Sequence, residues 1–141
     1  MEQMMSLKGK FKTDAALTKD GVWFDLADNS DGSKCRIKLR RHGRSNRDWV
    51  NSFRKHTADK DMETISAEED EAITANTFAE ACVVDWEHFQ PEDDGNELPF
   101  SVANAVSLFL DPDWNDLLKE CQTLAGQRVH YQKKLEGEAK N

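Results

Sequence analysis

The side chains able to do chemistry in this chain are few and scattered. His88 sits close to Asp85 and Glu87, types that could form a general base or a ligand set. Residues this near in sequence at a helix end point in different directions. The expectation is therefore a partly exposed histidine in an acidic loop. The run Asp28-Asn29-Ser30-Asp31-Gly32-Ser33 invites a calcium reading. With Gly32 at the sixth loop position, the first ligand falls on Ala27 and the twelfth on Lys38, where an EF-hand needs carboxylates. Cys35, Cys82 and Cys121 are far apart, and no CxxC, HxxxH or HExxH spacing occurs. No nucleophile elbow, phosphate-binding glycine loop or dinucleotide fingerprint occurs either. The reading is a non-enzymatic protein with no metal and no cofactor.

The charges are more informative. The net charge is −8, but it is segregated along the chain. Residues 34–60 carry ten of the nineteen Lys and Arg against Asp48 and Asp59, a net of +8. Residues 61–120 carry seventeen acids against Lys119 alone, a net of −16. The basic part could hold phosphate, yet the acidic part repels a polyanion, and Trp23 and Trp49 fit apolar stripes better than stacking platforms. Nucleic acid is therefore not the expected partner. Opposed segments suit contacts between copies instead, with Arg36, Lys38, Arg40 and Arg41 facing Glu92, Asp93 and Asp94 as the candidate self-association residues.

The elements that position these residues follow from periodicity. Val22, Phe24 and Leu26 alternate with Trp23 and Asp25. After a turn at 28–33, Cys35, Ile37 and Leu39 alternate with Lys34, Arg36, Lys38 and Arg40. The pair predicts a β-hairpin with one apolar and one basic face. Ser45 or Asn46 can cap a helix starting near Arg47, with Trp49, Phe53 and His56 on one stripe. Residues 57–63 read as a loop. Ser66 and Glu69 form a capping-box pattern. The helix it starts is expected to run to Trp86, with Ala72, Ala75, Ala79, Cys82 and Trp86 on one face and Ile73 and Phe78 beside it. Ser101 can cap a short helix, and Asp111-Pro112 a further one, with Trp114, Leu117, Leu118, Cys121, Leu124 and Ala125 recurring at helical spacing.

The fold class that results is α+β, mainly α-helical: an N-terminal β-hairpin followed by about four helices. The organisation expected is a flexible N-terminal arm over 1–15, a single globular domain over 16–132 and a flexible C-terminal tail over 133–141. No apolar run approaches the roughly 18 residues of a membrane span. Residues 1–8 lack the pattern of a signal peptide, and three separated cysteines fit a reducing cytoplasm.

The segment from Val83 to Ser101 carries the most specific pattern. An aliphatic run with Trp86 leads to an acidic turn at Gly95, and Leu98-Pro99-Phe100-Ser101 starts a helix. It resembles the "DxxGxxLPF(S/T)" segment of tail assembly chaperones from long-tailed, siphovirus-like bacteriophages. Trp86, Gly95, Leu98, Pro99 and Phe100 are its signature residues. Arg36-Ile37-Lys38-Leu39-Arg40-Arg41 followed by Asn46 is similar to a further passage of that family, as are residues 101–112. The run Glu92-Asp93-Asp94 is more acidic than the family's pattern. The resemblance implies a protein that binds the tape measure protein, with the major tail tube protein as a further partner, and keeps it soluble in the bacterial cytoplasm. It also implies absence from the mature virion and, often, a longer product made by frameshifting. The rivals are a virion component, such as a head–tail connector or minor tail protein, and a small nucleic-acid-binding regulator. Trp86 and Phe100 are expected to anchor the acidic loop. The helices over 67–86 and 111–125 are the expected sources of a partner-binding groove, with Phe89 and Leu98 as apolar remainder.

Overall fold

The computed structural model describes residues 5–133. Short helices α1 (Leu7–Phe11) and α2 (Ala15–Asp20) precede strands β1 (Val22–Asp28) and β2 (Lys34–Leu39). Helices α3 (Arg47–Thr57) and α4 (Ala67–Ala81) follow, then strand β3 (Val83–Glu87) and helices α5 (Val102–Leu110) and α6 (Asn115–Gly126). The result is the α+β architecture expected, with the hairpin followed by four principal helices and one additional strand.

The helix starts are locally specified. Ser66 Oγ accepts from the Glu69 amide and the Glu69 carboxylate accepts from the Ser66 amide, completing the capping box. Asn46, not Ser45, caps α3, accepting from the Asp48 and Trp49 amides. Ser101 caps α5 through the Asn104 amide. Asp111 caps a single 3-10 turn at Pro112–Trp114, and α6 continues from it.

The strands form an antiparallel sheet in the order β1-β2-β3, with β2 central. The third strand corrects the expectation of a helix running to Trp86. Cys82 and Trp86 stand four apart, so both helical and extended readings place them inward. Val83 and Val84 are β-branched and suit a pleated surface. β2 also offers an open edge, and pairing with it decides the outcome, with Trp86 opposite Ile37.

Inward residues of the sheet (Ile37, Leu39, Val83, Trp86) meet Ala75, Phe78, Ala79 and Cys82 of the α4 region, Ala105, Leu108 and Phe109 of α5, and Leu118, Cys121 and Ala125 of α6. Full burial of a large side chain such as Phe78 contributes about 1.5–3 kcal/mol. Burial also pushes the Cys82 and Cys121 thiols up to about 12, as expected of inert core cysteines. Tyr131, fully buried, donates its hydroxyl to Leu39 O at 2.9 Å and closes the far end of the core.

The described part of the expected N-terminal arm carries α1 and the first residue of α2. It is tied to the 3-10 turn Arg128–Tyr131 by Arg128 Nε on Lys10 O and by the Asp14 amide on Tyr131 O. Residues 1–4 of that arm, and all of the expected tail except Lys133, lie outside the described residues.

Candidate protein-binding site

The segment between β3 and α5 is held from within. Trp86 is 5% exposed. Its ring stacks on Phe89 with centroids 4.0 Å apart and meets Phe100 edge-on at 5.2 Å. Its indole N–H donates to Leu98 O at 2.8 Å, and the Leu98 amide donates to Phe89 O at 2.7 Å. The two ends of the loop are thus pinned to one another through one side chain. Phe89 is buried and Leu98 half-buried in this contact, so the apolar remainder expected there is largely consumed. Gly95, with φ of 84°, turns the chain back in a conformation that strains any side chain. Pro99 leads into the Ser101 cap, and its carbonyl accepts from Asn104 Nδ2 at 2.8 Å.

The loop also docks on the hairpin turn, a contact that hydrophobic periodicity does not reveal. Gln90 is buried, and its Nε2 donates to Asp31 Oδ2 at 2.9 Å, with longer bonds to Ser33 Oγ and Glu97. Asn29 Nδ2 donates to His88 O at 2.8 Å, and both the amide and hydroxyl of Ser30 donate to Asp93. The acid-rich turn at 28–33 therefore serves as a clamp for this loop. Bonds from Ser33 and then Gln90 hold the Asp31 carboxyl down at about 2. His88, at φ 56°, pairs not with Asp85 but with Glu97 at 2.8 Å. The hydrogen bond with Glu97 raises His88 above its ordinary value, and the same bond holds Glu97 below its own.

The candidate self-association residues divide. Arg36 is neutralised within the chain by Asp25 at 2.9 Å and Glu87 at 3.1 Å, with its guanidinium 4.9 Å from the Trp23 ring. Trp23 thus lies on the charged face of the hairpin and not on an apolar stripe. Lys38 stands opposite Asp85 in the register. Arg41 is half-buried over Tyr131. Arg40 follows β2 and donates Nε to Lys19 O at 2.7 Å. Glu92, Asp93 and Asp94 form the exposed loop tip. Other opposed charges also meet within the chain, Lys55 with Glu80 and Lys60 with Glu69.

A cleft of about 390 Å³ lies between α4 and α6, the two helical regions expected to supply a groove. Phe109, Leu110, Pro112 and Leu118 give it an apolar lining, and Asp70, Glu71 and Asp111 stand among its polar residues with Lys119. It continues onto α5. Val102, Val106 and Leu110 recur every four residues and so share one side of that helix. Val102 and Leu110 are 41% and 42% exposed. No helix among the described residues is long and apolar enough to cross a membrane.

The family model for the YdaY prophage protein matches residues 43–141, which include α3 through α6, the Trp86 loop and the cleft. No curated protein and no solved structure matches the chain. With more than half of its length covered, the chain belongs to the YdaY prophage protein family and is of phage origin.

Proposed function

We propose that this protein is a tail assembly chaperone that holds the tape measure protein soluble in the host cytoplasm until the tail tube forms around it. The observation that carries the reading is the pair of exposed apolar residues Val102 and Leu110, on the same side of α5 as half-buried Val106, with Leu110 at the cleft beside α4 and α6. A helix with an apolar stripe of its own can lie along such a track, anchored at four-residue spacing. Asp70, Glu71 and Asp111 at the cleft favour a partner with Lys or Arg flanking that stripe. The phage family and the resemblance of residues 83–101 to tail chaperones support the same reading. Nothing in it calls for catalysis, and the loop residues Trp86, Gly95, Leu98, Pro99 and Phe100 act as the frame that orients α5. A tape measure protein is long and helical, so several copies would line it, with the tail tube protein displacing them as it polymerises.

Co-expression with the tape measure protein tests this directly. The partner is expected in the soluble fraction with the wild-type chain and in the pellet with Leu110→Asp, whose side chain lies on the exposed stripe. A tape measure protein that stays insoluble with the wild-type chain, even with any longer frameshifted product present, would end the chaperone reading. Recovery of this chain from purified particles would favour the virion-component alternative.

A further inference from the structure

We propose that the acidic loop tip around Glu92 docks into a basic cavity at Lys19, Arg40 and Arg47 of a second copy of this chain, joining copies head to tail. The cavity, of about 450 Å³, lies where the end of α2, the residue after β2 and the start of α3 converge. Lys19, Arg40 and Arg47 line it against a single acid, Asp48. Arg40 is held in place by its bond to Lys19 O. The first amides of α3 are already taken by Asn46, so it is the side-chain cations that are open to a ligand. Thr18, only 7% exposed, lies in its wall.

The tip is the complementary surface. Asp93 is held by Ser30 and Asp94 by the amide and side chain of Asn96, while Glu92 makes no bond to a described residue. Its carboxylates are thus presented on a fixed loop, which lowers the ordering cost of docking. The two surfaces lie at opposite ends of β2. The tip is bound to the turn before Lys34, and the cavity begins after Leu39. At about 3.3 Å per residue the strand separates them by roughly 20 Å, so one copy does not satisfy both on itself. A contact between different surfaces repeats from copy to copy, which is the geometry needed to line a long partner. A second copy is favoured over a nucleic acid because the acidic residues 61–120 repel a polyanion, whereas the same residues supply the docking tip. The inference rests on charge and geometry alone and does not require the tape measure reading.

Sedimentation of the full chain tests it. The wild type is expected to grow in average mass with concentration at about 0.05 M salt and to revert to monomer at about 1 M, where the Debye length shrinks to about 3 Å. Glu92→Lys/Asp94→Lys and Lys19→Glu/Arg47→Glu are each expected to remain monomeric, and an equimolar mixture to assemble again, because the reversed tip of one variant meets the reversed cavity of the other while the two intact surfaces meet each other. Thermal melts of both variants establish that they fold. A wild type that is monomeric at low salt, variants that assemble as it does, or a mixture of folded variants that stays monomeric would each overturn the proposal. So would a wild type that is monomeric yet binds a DNA oligonucleotide through Arg47, which would make a polyanion the occupant. Solubilisation of the tape measure protein by monomeric variants would leave the chaperone reading standing while removing this one.

Discussion

Replacing Trp86 tests whether the signature segment is held as described. A tryptophan buries roughly 150–250 Å², and at about 25 cal/mol per Å² that area is worth roughly 4–6 kcal/mol as an upper bound. Measured truncations of buried aromatics to Ala cost about 3–5 kcal/mol. Here Trp86→Ala also strips Leu98 O of its donor and Phe89 of its stacking partner. A loss of about 4 kcal/mol is expected, a large share of the roughly 5–15 kcal/mol that holds a domain together. For a chain of this size that is a fall in Tm of roughly 10–20 °C. Trp86→Phe separates the terms. It keeps a ring between Phe89 and Phe100 and removes only the N–H donor, so about 1–2 kcal/mol is expected. Urea denaturation gives the free energies. Amide exchange at Leu98 and Ser30 gives the location, because both amides are bonded through the loop. A cost for Trp86→Ala below about 1 kcal/mol would refute the packing estimate. A full cost with Leu98 and Ser30 as protected as before would refute the claim that Trp86 anchors the loop to itself and to the hairpin turn.

Asn46 is 5% exposed and its side-chain amide donates to Arg41 O and Ala81 O while its oxygen caps α3. Asn46→Ala should cost about 3 kcal/mol by denaturation, and Asn46→Asp, which keeps the cap and loses both donations, should not restore the wild-type value. His88 is raised by Glu97, so its contribution is fully present below its unfolded value near 6.5 and is lost as pH rises through the higher folded value. Glu97 is held down, so its contribution is present above about 4.5 and is lost as pH falls through its folded value. His42, lowered by burial, acts in the opposite sense to His88, adding stability as pH rises. Stability of His88→Gln relative to wild type, measured between about pH 5 and 8, should therefore show its deficit at the acid end, and a deficit growing with pH would contradict the pairing.

The hairpin, the capping box at Ser66 and the starts at Ser101 and Asp111 were legible because each is a local pattern. The contacts of those caps span two or three residues, and strand alternation is visible in a short window. β3 was not legible, since Cys82 and Trp86 satisfy helical spacing and strand alternation equally well. What separates the readings is the free edge of β2, more than forty residues earlier. The charge segregation was legible as composition but not as pairing. Arg36 finds one acid in its own hairpin, Asp25, and one across the sheet, Glu87. Gln90 left no trace at all. A polar residue between Phe89 and Pro91 resembles loop, and only the folded chain brings Asp31 and Ser33 to it.

The acidic loop joins the surfaces proposed for binding. One end of it is fixed by Trp86 on Leu98 O, and within three residues Ser101 caps α5, so the direction of the Val102–Val106–Leu110 stripe is set by the same contact that closes the loop. The other side of the loop is fixed on the hairpin turn by Gln90 and Ser30. All three are thus referred to one sheet: the tip at its turn end, the basic cavity at its opposite end, and α5 packed against α4. Copies joined tip to cavity would repeat their α5 stripes in one orientation. That is the arrangement a long partner with a recurring apolar stripe requires, because each added copy gains from the neighbour already bound.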